Sequence, residues 1–444
     1  MRSYNLSKQV SVLSNSDEYY LYNWFNDIGV SIEPKNITQI QDDKVVFADE
    51  FSADHIKFLC ENTFISNNKL PVSFYETEFN KQLKKEQDSL RLILLPAGYA
   101  CNFRCLYCYE NHEDTSRFKD EHSDKIFSLL QSRNAKQQVH IEYFGGEPLL
   151  NHKWILSFQK RIKDFKHTAS MTTNGYLLTE DKFLSLLKNN VRTFQITIDG
   201  VEETHNKLRI KCDGSGTYEV IMNNLKKISQ TKEKFTIVLR CNFNQNTSSE
   251  ESRKKFFQNI EFLQNDFRFR LIFRPIGLYS EANGTTTQTT IDACHKGQDD
   301  MQNIWESEAQ DRGFLIGDLG LFTQTAGFIC YASKSTTYTI TPTFEVLKCT
   351  LAVDKDYNKF GTLTNHLNLD TNKIKKWEEY IQLDSKCKDC FFFFQCMGRS
   401  CVLNNFLSKA KKCPIKPNNE RFLVEKIRKQ KEILKRMAKN EKIV

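Results

Sequence analysis

Between Ser89 and Ile276 strand-like and helix-like patterns alternate, and nothing else in the 444-residue chain limits its fold so tightly. Apolar runs at Leu90–Leu95, Val139–Phe144, Ala169–Thr173, Thr193–Ile198, Phe235–Asn242 and Phe267–Pro275 read as strands. Helical spacing of apolar residues fills the intervals, at Glu121–Arg133, Lys153–Phe165, Glu180–Asn189, Tyr218–Ser229 and Glu250–Leu263. Such alternation makes a parallel sheet with crossover helices. Six strands are too few to close an eight-stranded barrel, so the expectation is an α/β fold with an open, partial (β/α)6 barrel. Chemistry in such sheets sits at the carboxyl ends of the strands, which makes the segments after each strand the place to look.

The first strand runs into Pro96-Ala97-Gly98-Tyr99-Ala100-Cys101-Asn102-Phe103-Arg104-Cys105-Leu106-Tyr107-Cys108. Three thiolates spaced C-x3-C-x2-C on one tight loop suit three irons of a four-iron cluster and leave the fourth iron without a protein ligand. Structural metal sites are closed, whereas an open iron serves a cluster that must bind a substrate or cofactor. A partial zinc site, or three core cysteines, is the bland alternative. Phe144-Gly145-Gly146-Glu147-Pro148, at the end of the second strand, weighs against it. Its two glycines let the backbone approach a ligand closely, and Glu147 is the carboxylate there. Thr172-Thr173-Asn174-Gly175 ends the third strand and Thr197-Ile198-Asp199-Gly200 the fourth. His205-Asn206-x2-Arg209 and Gly214-Ser215-Gly216-Thr217-Tyr218 follow, and Arg240 closes the fifth strand.

On these residues the chain resembles the radical S-adenosylmethionine (SAM) enzymes, with Thr197 standing for a serine and Asn206 for an aspartate of the family pattern. The resemblance implies that Cys101, Cys105 and Cys108 hold a [4Fe–4S] cluster whose open iron is chelated by SAM. Reductive cleavage of SAM would then give a 5′-deoxyadenosyl radical that abstracts a hydrogen atom from the substrate. It also implies SAM contacts from Tyr107, Gly145, Gly146, Glu147, Asn174, Thr197 and Arg240. The Gly-Gly-Glu loop would take the amino group, and Arg240 with Thr197 the carboxylate. A low-potential electron donor, flavodoxin or ferredoxin, is implied as well. No catalytic residue is assigned.

A second group of cysteines runs Cys330-x18-Cys349, then Cys387-x2-Cys390-x5-Cys396-x4-Cys401, then Cys413. Taken alone, four of these thiolates also suit zinc. Attached to such a barrel, the pattern resembles the SPASM extension, which implies two auxiliary [4Fe–4S] clusters and three clusters in all. By that resemblance one auxiliary cluster uses Cys330, Cys349 and Cys401, and the other Cys387, Cys390, Cys396 and Cys413. The first has three ligands; Cys294 supplies a fourth or the site is open. Two departures stand out: Phe344 occupies the position of the usual glycine, and the last close spacing is x4 rather than x3. Cys60, Cys212 and Cys241 have no partners at ligand spacing and read as ordinary thiols.

Ahead of the barrel, Val10–Leu13, Tyr19–Phe25 and Gly29–Glu33 read as short strands, and Asp54–Asn62 and Glu76–Asp88 as helices. A small sheet with helices resembles the modules that capture a leader peptide as an added strand. A domain that only caps the barrel is the alternative. The expected division is therefore a recognition-like module at 1–88, the barrel at 89–277, a bridge at 278–329, the cysteine-rich extension at 330–414 and a basic helix at 415–444. Phe391-Phe392-Phe393-Phe394 reads as packing around the metal groups.

Composition narrows the function further. No run approaches eighteen apolar residues, so no membrane-spanning helix is expected. The opening Met1-Arg2-Ser3-Tyr4-Asn5-Leu6-Ser7-Lys8 lacks an apolar h-region, and clustered cysteines favour metal ligation in a reducing cytoplasm. The formal charge of +8 is modest and spread out, favouring an acidic peptide over nucleic acid. The resemblance implies modification of a ribosomally made precursor peptide carrying a leader, by a thioether bond from Cys sulfur to carbon. Carbon–carbon crosslinking is one alternative. Formylglycine formation, as in the anaerobic sulfatase maturases, is another, but those enzymes place an Asp after the second SPASM cysteine and Cys349 precedes Thr350. A non-catalytic electron carrier or peptide binder gains nothing from an open iron.

Overall fold

A computed structural model of the chain describes all residues except 1, 42, 69–70, scattered positions between 72 and 87, 133–136, 279–286, 297–299, 318–329, 354, 379–386, 388–389, 391, 397–399, 410–412, 414–419 and 442–444. The chain divides into two compact units. The first comprises residues 1–87, 318–335 and 376–431, the second 88–317, 336–375 and 432–444.

The first unit opens with seven short strands: β1 (Arg2–Leu6), β2 (Val10–Ser14), β3 (Tyr19–Asn23), β4 (Ile28–Ile32), β5 (Ile37–Gln41), β6 (Lys44–Phe47) and β7 (Ile65–Ser66). They form two antiparallel sheets, ordered β5-β6-β1-β7 and β2-β3-β4. The strands expected near residues 10–33 are β2, β3 and β4; the other four were not read from sequence because their apolar residues are too few to show alternation. Helix α1 (Ala53–Glu61) starts at Ser52, whose hydroxyl accepts the Asp54 N–H, and buries Ile56 and Leu59 against Val45, Phe47 and Phe64. The helix expected over Glu76–Asp88 falls largely outside the described residues.

The second unit is built on β8 (Ser89–Leu94), β10 (Gln138–Tyr143), β11 (His167–Thr173), β12 (Val191–Thr197), β14 (Thr236–Phe243) and β15 (Phe269–Pro275). These six strands are parallel, in the order β15-β14-β12-β11-β10-β8. Their ends lie within two residues of the sequence expectation, and the partial barrel is confirmed. Crossover helices α2 (His122–Gln131), α3 (His152–Arg161), α4 (Glu180–Lys188), α6 (Tyr218–Ser229) and α7 (Glu250–Asn259) follow the strands, with a short α5 (Glu202–Leu208) before α6. Helix α6 shows why: Ile221, Met222, Leu225 and Ile228 form one buried stripe.

Two pairings escaped the sequence. The three-residue strands β9 (Phe103–Cys105) and β13 (Arg209–Lys211) form an antiparallel ribbon, with Arg209 opposite Cys105. The sheet also continues beyond β8 through β16 (Thr337–Ile340), parallel to it, and then antiparallel through β17 (Glu345–Leu347), β18 (Lys359–Leu363) and β19 (Leu367–Leu369). Residues 336–375, which carry Cys349, thus extend the barrel's own sheet.

At the β16–β17 turn Phe344 has φ +63°, the left-handed conformation that glycine adopts without cost. Its ring is held against Phe118 and His122 on the α2 side, at 6.1 and 5.0 Å between centroids, with Lys125 Nζ 4.1 Å above it. Packing thus compensates the turn that glycine would otherwise make.

The C-terminal helix (Glu420–Glu441) is amphipathic, as expected. Its Arg428 pairs with Glu18 and lies over Tyr20, while Lys431 sits 2.8 Å from Asp27 and over Tyr22. Among the described residues no helix is long and apolar enough to cross a membrane.

Candidate active site

The three cysteines of the C-x3-C-x2-C loop lie at the carboxyl end of β8, the edge that the parallel topology assigns to chemistry. The approach to the loop is locked by the end of β10. Gly146 N–H donates to Gly98 O (3.1 Å) and Glu147 N–H to Ala100 O (2.8 Å). Gly145 has φ +101°, and a Cβ on Gly146 would lie 2.3 Å from Ala100 O and 2.5 Å from Tyr99 O. Only two glycines allow this contact of main chain on main chain.

Glu147 is fully buried and already engaged. Its Oε1 accepts from Leu149 N–H (2.9 Å) and Thr173 Oγ1 (2.8 Å), and its Oε2 from Asn174 N–H (2.8 Å). Burial pushes its pKa up, opposed by these three hydrogen bonds. The carboxylate therefore clasps the ends of β10 and β11. Asn174 in turn donates to Asn102 Oδ1 (2.8 Å) and lies 3.9 Å from Cys101 Sγ.

A second buried set ties the other half of the loop to β12 and β14. The Tyr107 hydroxyl donates to Asp199 Oδ2 and accepts from Arg209 Nη1 (2.8 Å) and Asn242 Nδ2 (3.1 Å). Asp199 Oδ1 accepts the Asn242 main-chain N–H at 2.9 Å. His205 Nδ1 accepts the Asp199 N–H (3.1 Å), which leaves its proton on Nε2, facing Thr217 Oγ1 at 3.1 Å. Burial depresses the pKa of His205 and keeps it neutral, while burial raises that of Asp199 against the pull of Arg209. Asp199, His205 and Arg209 stood in motifs that the sequence displays but were not assigned to the site. Asn242 carried no signal, because its part comes from the β12–β14 register alone.

Arg240 has its Nε fixed on Asn242 Oδ1 at 2.7 Å, and among the described residues its two terminal nitrogens have no hydrogen-bond partner. Thr197, at the end of β12, is buried opposite Arg240 in the strand register.

The cysteines themselves fit an iron–sulfur group. Cys101 Sγ accepts the Phe103 N–H (3.4 Å), and the Glu110 main chain donates to Cys108. Burial raises all three thiols, and the three are near enough to influence one another. Soft sulfur donors with N–H···S bonds, spread around a loop, are the donor chemistry of such a cluster. No group of three or more His, Cys, Asp or Glu among the described residues is gathered closely enough for a single metal ion.

Of the other cysteines, Cys294 packs with Leu106 and Tyr107 of the loop, and Cys349 acts electrostatically on the buried Tyr109. Cys349 is placed by Asn358, whose Oδ1 accepts its N–H (2.8 Å) and whose Nδ2 donates to its carbonyl (2.7 Å). In the first unit, Cys401 and Cys330 share a side-chain hydrogen bond that lowers Cys401 to about 6. Cys387, Cys390 and Cys396 lie on consecutive turns ending in the short helix Phe393–Cys396. Cys413 acts electrostatically on Cys390. Cys212 is exposed beside Cys101, with Arg104 Nη1 3.0 Å from its sulfur, whereas Cys241 is buried and Cys60 exposed. None of the fourteen cysteines, all among the described residues, forms a disulfide.

Residues 95–247 match the model of the radical SAM superfamily. The cysteine-type anaerobic sulfatase-maturating enzyme of Clostridium novyi (strain NT) is 28% identical over 194 residues, covering 41% of this chain and 50% of that protein. The chain thus spans about half the length of the sulfatase-maturating relatives it matches. Among solved structures, anSMEcpe with bound AdoMet and Cp18Cys peptide aligns with a TM-score of 0.54 at 19% identity, over 79% of this chain and 99% of that one. Streptococcus suis SuiB bound to precursor peptide SuiA aligns at 0.52 and 16%, over 93% and 99%. These likenesses show a shared fold. Residues 95–247 form a radical SAM domain.

Proposed function

We propose that this enzyme modifies a ribosomally made precursor peptide, closing a thioether from a Cys sulfur to a carbon. The observation that carries the reading is the cysteine loop itself. It is seated at the carboxyl ends of the barrel strands, with the Gly145-Gly146 main chain locked against it and the Arg240 fork open beside it. Cys101, Cys105 and Cys108 hold the four-iron cluster. Bound there, SAM and the cluster would supply the hydrogen-abstracting radical; closing the thioether would remove one hydrogen atom from the acceptor carbon and a proton from the Cys thiol, with the one remaining electron passing to the auxiliary clusters assigned below.

The chain's own residues orient SAM. Arg240 presents two N–H donors to its carboxylate, with Thr197 assisting. The Gly145-Gly146 main chain meets its amino group. Glu147 and Asn174 hold that loop and Cys101 in place, and Tyr107 offers its ring while its hydroxyl is fixed by Asp199. The cysteines of residues 330–413 carry two auxiliary four-iron clusters, giving about twelve irons per chain. A leader would add to an edge of the antiparallel sheets in residues 1–88. The peptides in the two similar structures support a peptide substrate. A flavodoxin or ferredoxin would supply the low-potential electron.

A second reading, formylglycine formation, is favoured by the similarity to sulfatase-maturating enzymes. Thr350 after Cys349 counts against it. The test is anaerobic reconstitution with SAM, a low-potential reductant and the precursor peptide, followed by mass spectrometry and thiol alkylation. A thioether loses two hydrogens and blocks alkylation. Loss of two hydrogens with thiols still alkylatable would mean a carbon–carbon bond, and loss of sulfur with an aldehyde would mean formylglycine.

A further inference from the structure

Arg209 is not needed to explain SAM binding, yet it sits in the most guarded position of the site. Its main chain pairs with Cys105 in the β9–β13 ribbon, and its carbonyl accepts from Thr217 Oγ1 at 2.8 Å. Its guanidinium is buried, lies over the Phe103 ring at 5.7 Å and donates to the Tyr107 hydroxyl at 2.8 Å. Asp199 Oδ2 is 4.0 Å away, and Arg209 Nε has no partner among the described residues. A buried cation is costly unless it offsets negative charge. Here the negative groups are the Asp199 carboxylate, already shared with Tyr107 and Asn242, the buried Glu147 carboxylate, and the sulfur of Cys105, whose main chain pairs with that of Arg209.

We propose that Arg209, balanced by Asp199, is a positioning residue that sets the reduction potential of the cluster held by Cys101, Cys105 and Cys108. The inference rests on the cluster assignment above. One electron from the low-potential donor adds one negative charge to the cluster. A fixed, buried positive charge at Cys105 favours that reduced form, and Asp199 tempers the effect.

The test is a potentiometric titration of the reconstituted full chain, followed by electron paramagnetic resonance, reading the signal that shifts on SAM addition. Asp199→Asn preserves shape and removes the tempering charge. It should raise the reduced-to-oxidised ratio at a fixed poise about tenfold, equivalent to 59 mV for a one-electron couple. Arg209→Gln should lower the ratio by a similar factor, and Arg209→Lys should leave it near wild type. If Arg209→Gln fails to take up iron, Asp199→Asn alone still decides, because its shift has the opposite sign to damage. A wild-type signal that Asp199→Asn does not move would overturn the charge pair. A wild-type chain with no SAM-responsive cluster would overturn the cluster assignment and this inference together.

Discussion

The loop Cys101–Cys108 and the segment Cys387–Cys396 look alike as text, with three cysteines on a short stretch in each, but they are held differently. Much of the first loop is tied to distant strands: Cys105 to Arg209 by ribbon pairing, Tyr107 to Asp199 and Asn242, and Asn102 through Asn174 to the Glu147 clasp. The second is held by near neighbours. Cys390 N–H bonds Cys387 O, Phe393 N–H bonds Cys390 O and Cys396 N–H bonds Phe392 O. Among the described residues its distant ties include the Phe392 ring, 4.8 Å edge-on to Trp24, and the Gln395 amide on Trp24 O. Long-range hydrogen bonds preorganise a site before its ligand arrives, whereas local turns leave the ligand to complete it.

The largest expected effect breaks function without breaking the first loop. Replacing Cys101, Cys105 and Cys108 by Ala should remove about four irons and abolish 5′-deoxyadenosine formation. Since the loop's ties do not run through sulfur alone, the thermal midpoint should hardly move. Replacing Cys387, Cys390 and Cys396 should instead lower it. In iron-free wild type, hydrogen exchange should find the Glu147 and Asn174 amides more strongly protected than those of Cys390 and Cys396, whose hydrogen bonds are local. Equal exchange in the two regions would erase the distinction.

This difference also explains what could be read in the sequence. The six barrel strands and the first cysteine loop were legible because each leaves a local mark, an apolar run or a fixed spacing. The pairing of Arg209, itself visible in a motif, with Cys105 and the part of Asn242 were not, because a three-residue ribbon and a strand register have no periodicity of their own. Residues 336–375 read as part of a cysteine-rich extension because Thr337–Ile340 is too short to announce itself as a barrel neighbour. Phe344 is the reverse case. The departure from glycine was visible, but the partners that compensate it, on α2 and before it, were not.

The preorganised loop breaks next at its clasp. Gly146→Ala drives a Cβ into two main-chain carbonyls that cannot rotate away and should cost about 3 kcal/mol, with loss of iron uptake. Glu147→Gln puts an amide N–H against the Asn174 N–H and should cost about 2–3 kcal/mol. It should also alter the pH dependence. Burial raises Glu147 above its ordinary 4.5, so the native state holds that proton more tightly than the unfolded chain. This contribution is fully present below pH 4.5 and is lost as pH rises through the raised native value. Urea midpoints measured across that range should fall less steeply with pH in Glu147→Gln than in wild type; parallel curves would show that Glu147 is not the group.

At the Phe344 turn two terms oppose each other. Glycine would relieve about 1 kcal/mol of left-handed backbone cost, while losing a buried ring forfeits about 3 kcal/mol or more. Phe344→Gly should therefore destabilise by about 2 kcal/mol, although it restores the usual residue of the SPASM pattern. A stabilised variant would mean that the ring packing contributes little.

The smallest effect sharpens the comparison from the other side. Gln395 is buried, its Nε2 donates to Trp24 O and its Oε1 has no partner among the described residues. Gln395→Met removes the hydrogen bond and leaves the Trp24 carbonyl short of that donor, a cost of about 1 kcal/mol. It also removes an unsatisfied buried oxygen, which offsets part of that. The net should be about 1 kcal/mol or less by urea denaturation, well under the cost at Glu147. Under the cluster assignment proposed above, iron uptake by Cys387, Cys390, Cys396 and Cys413 should be unchanged, because the cysteine turns do not depend on Gln395. A loss comparable to that of Glu147→Gln, with iron released, would show that the second region is held from a distance after all.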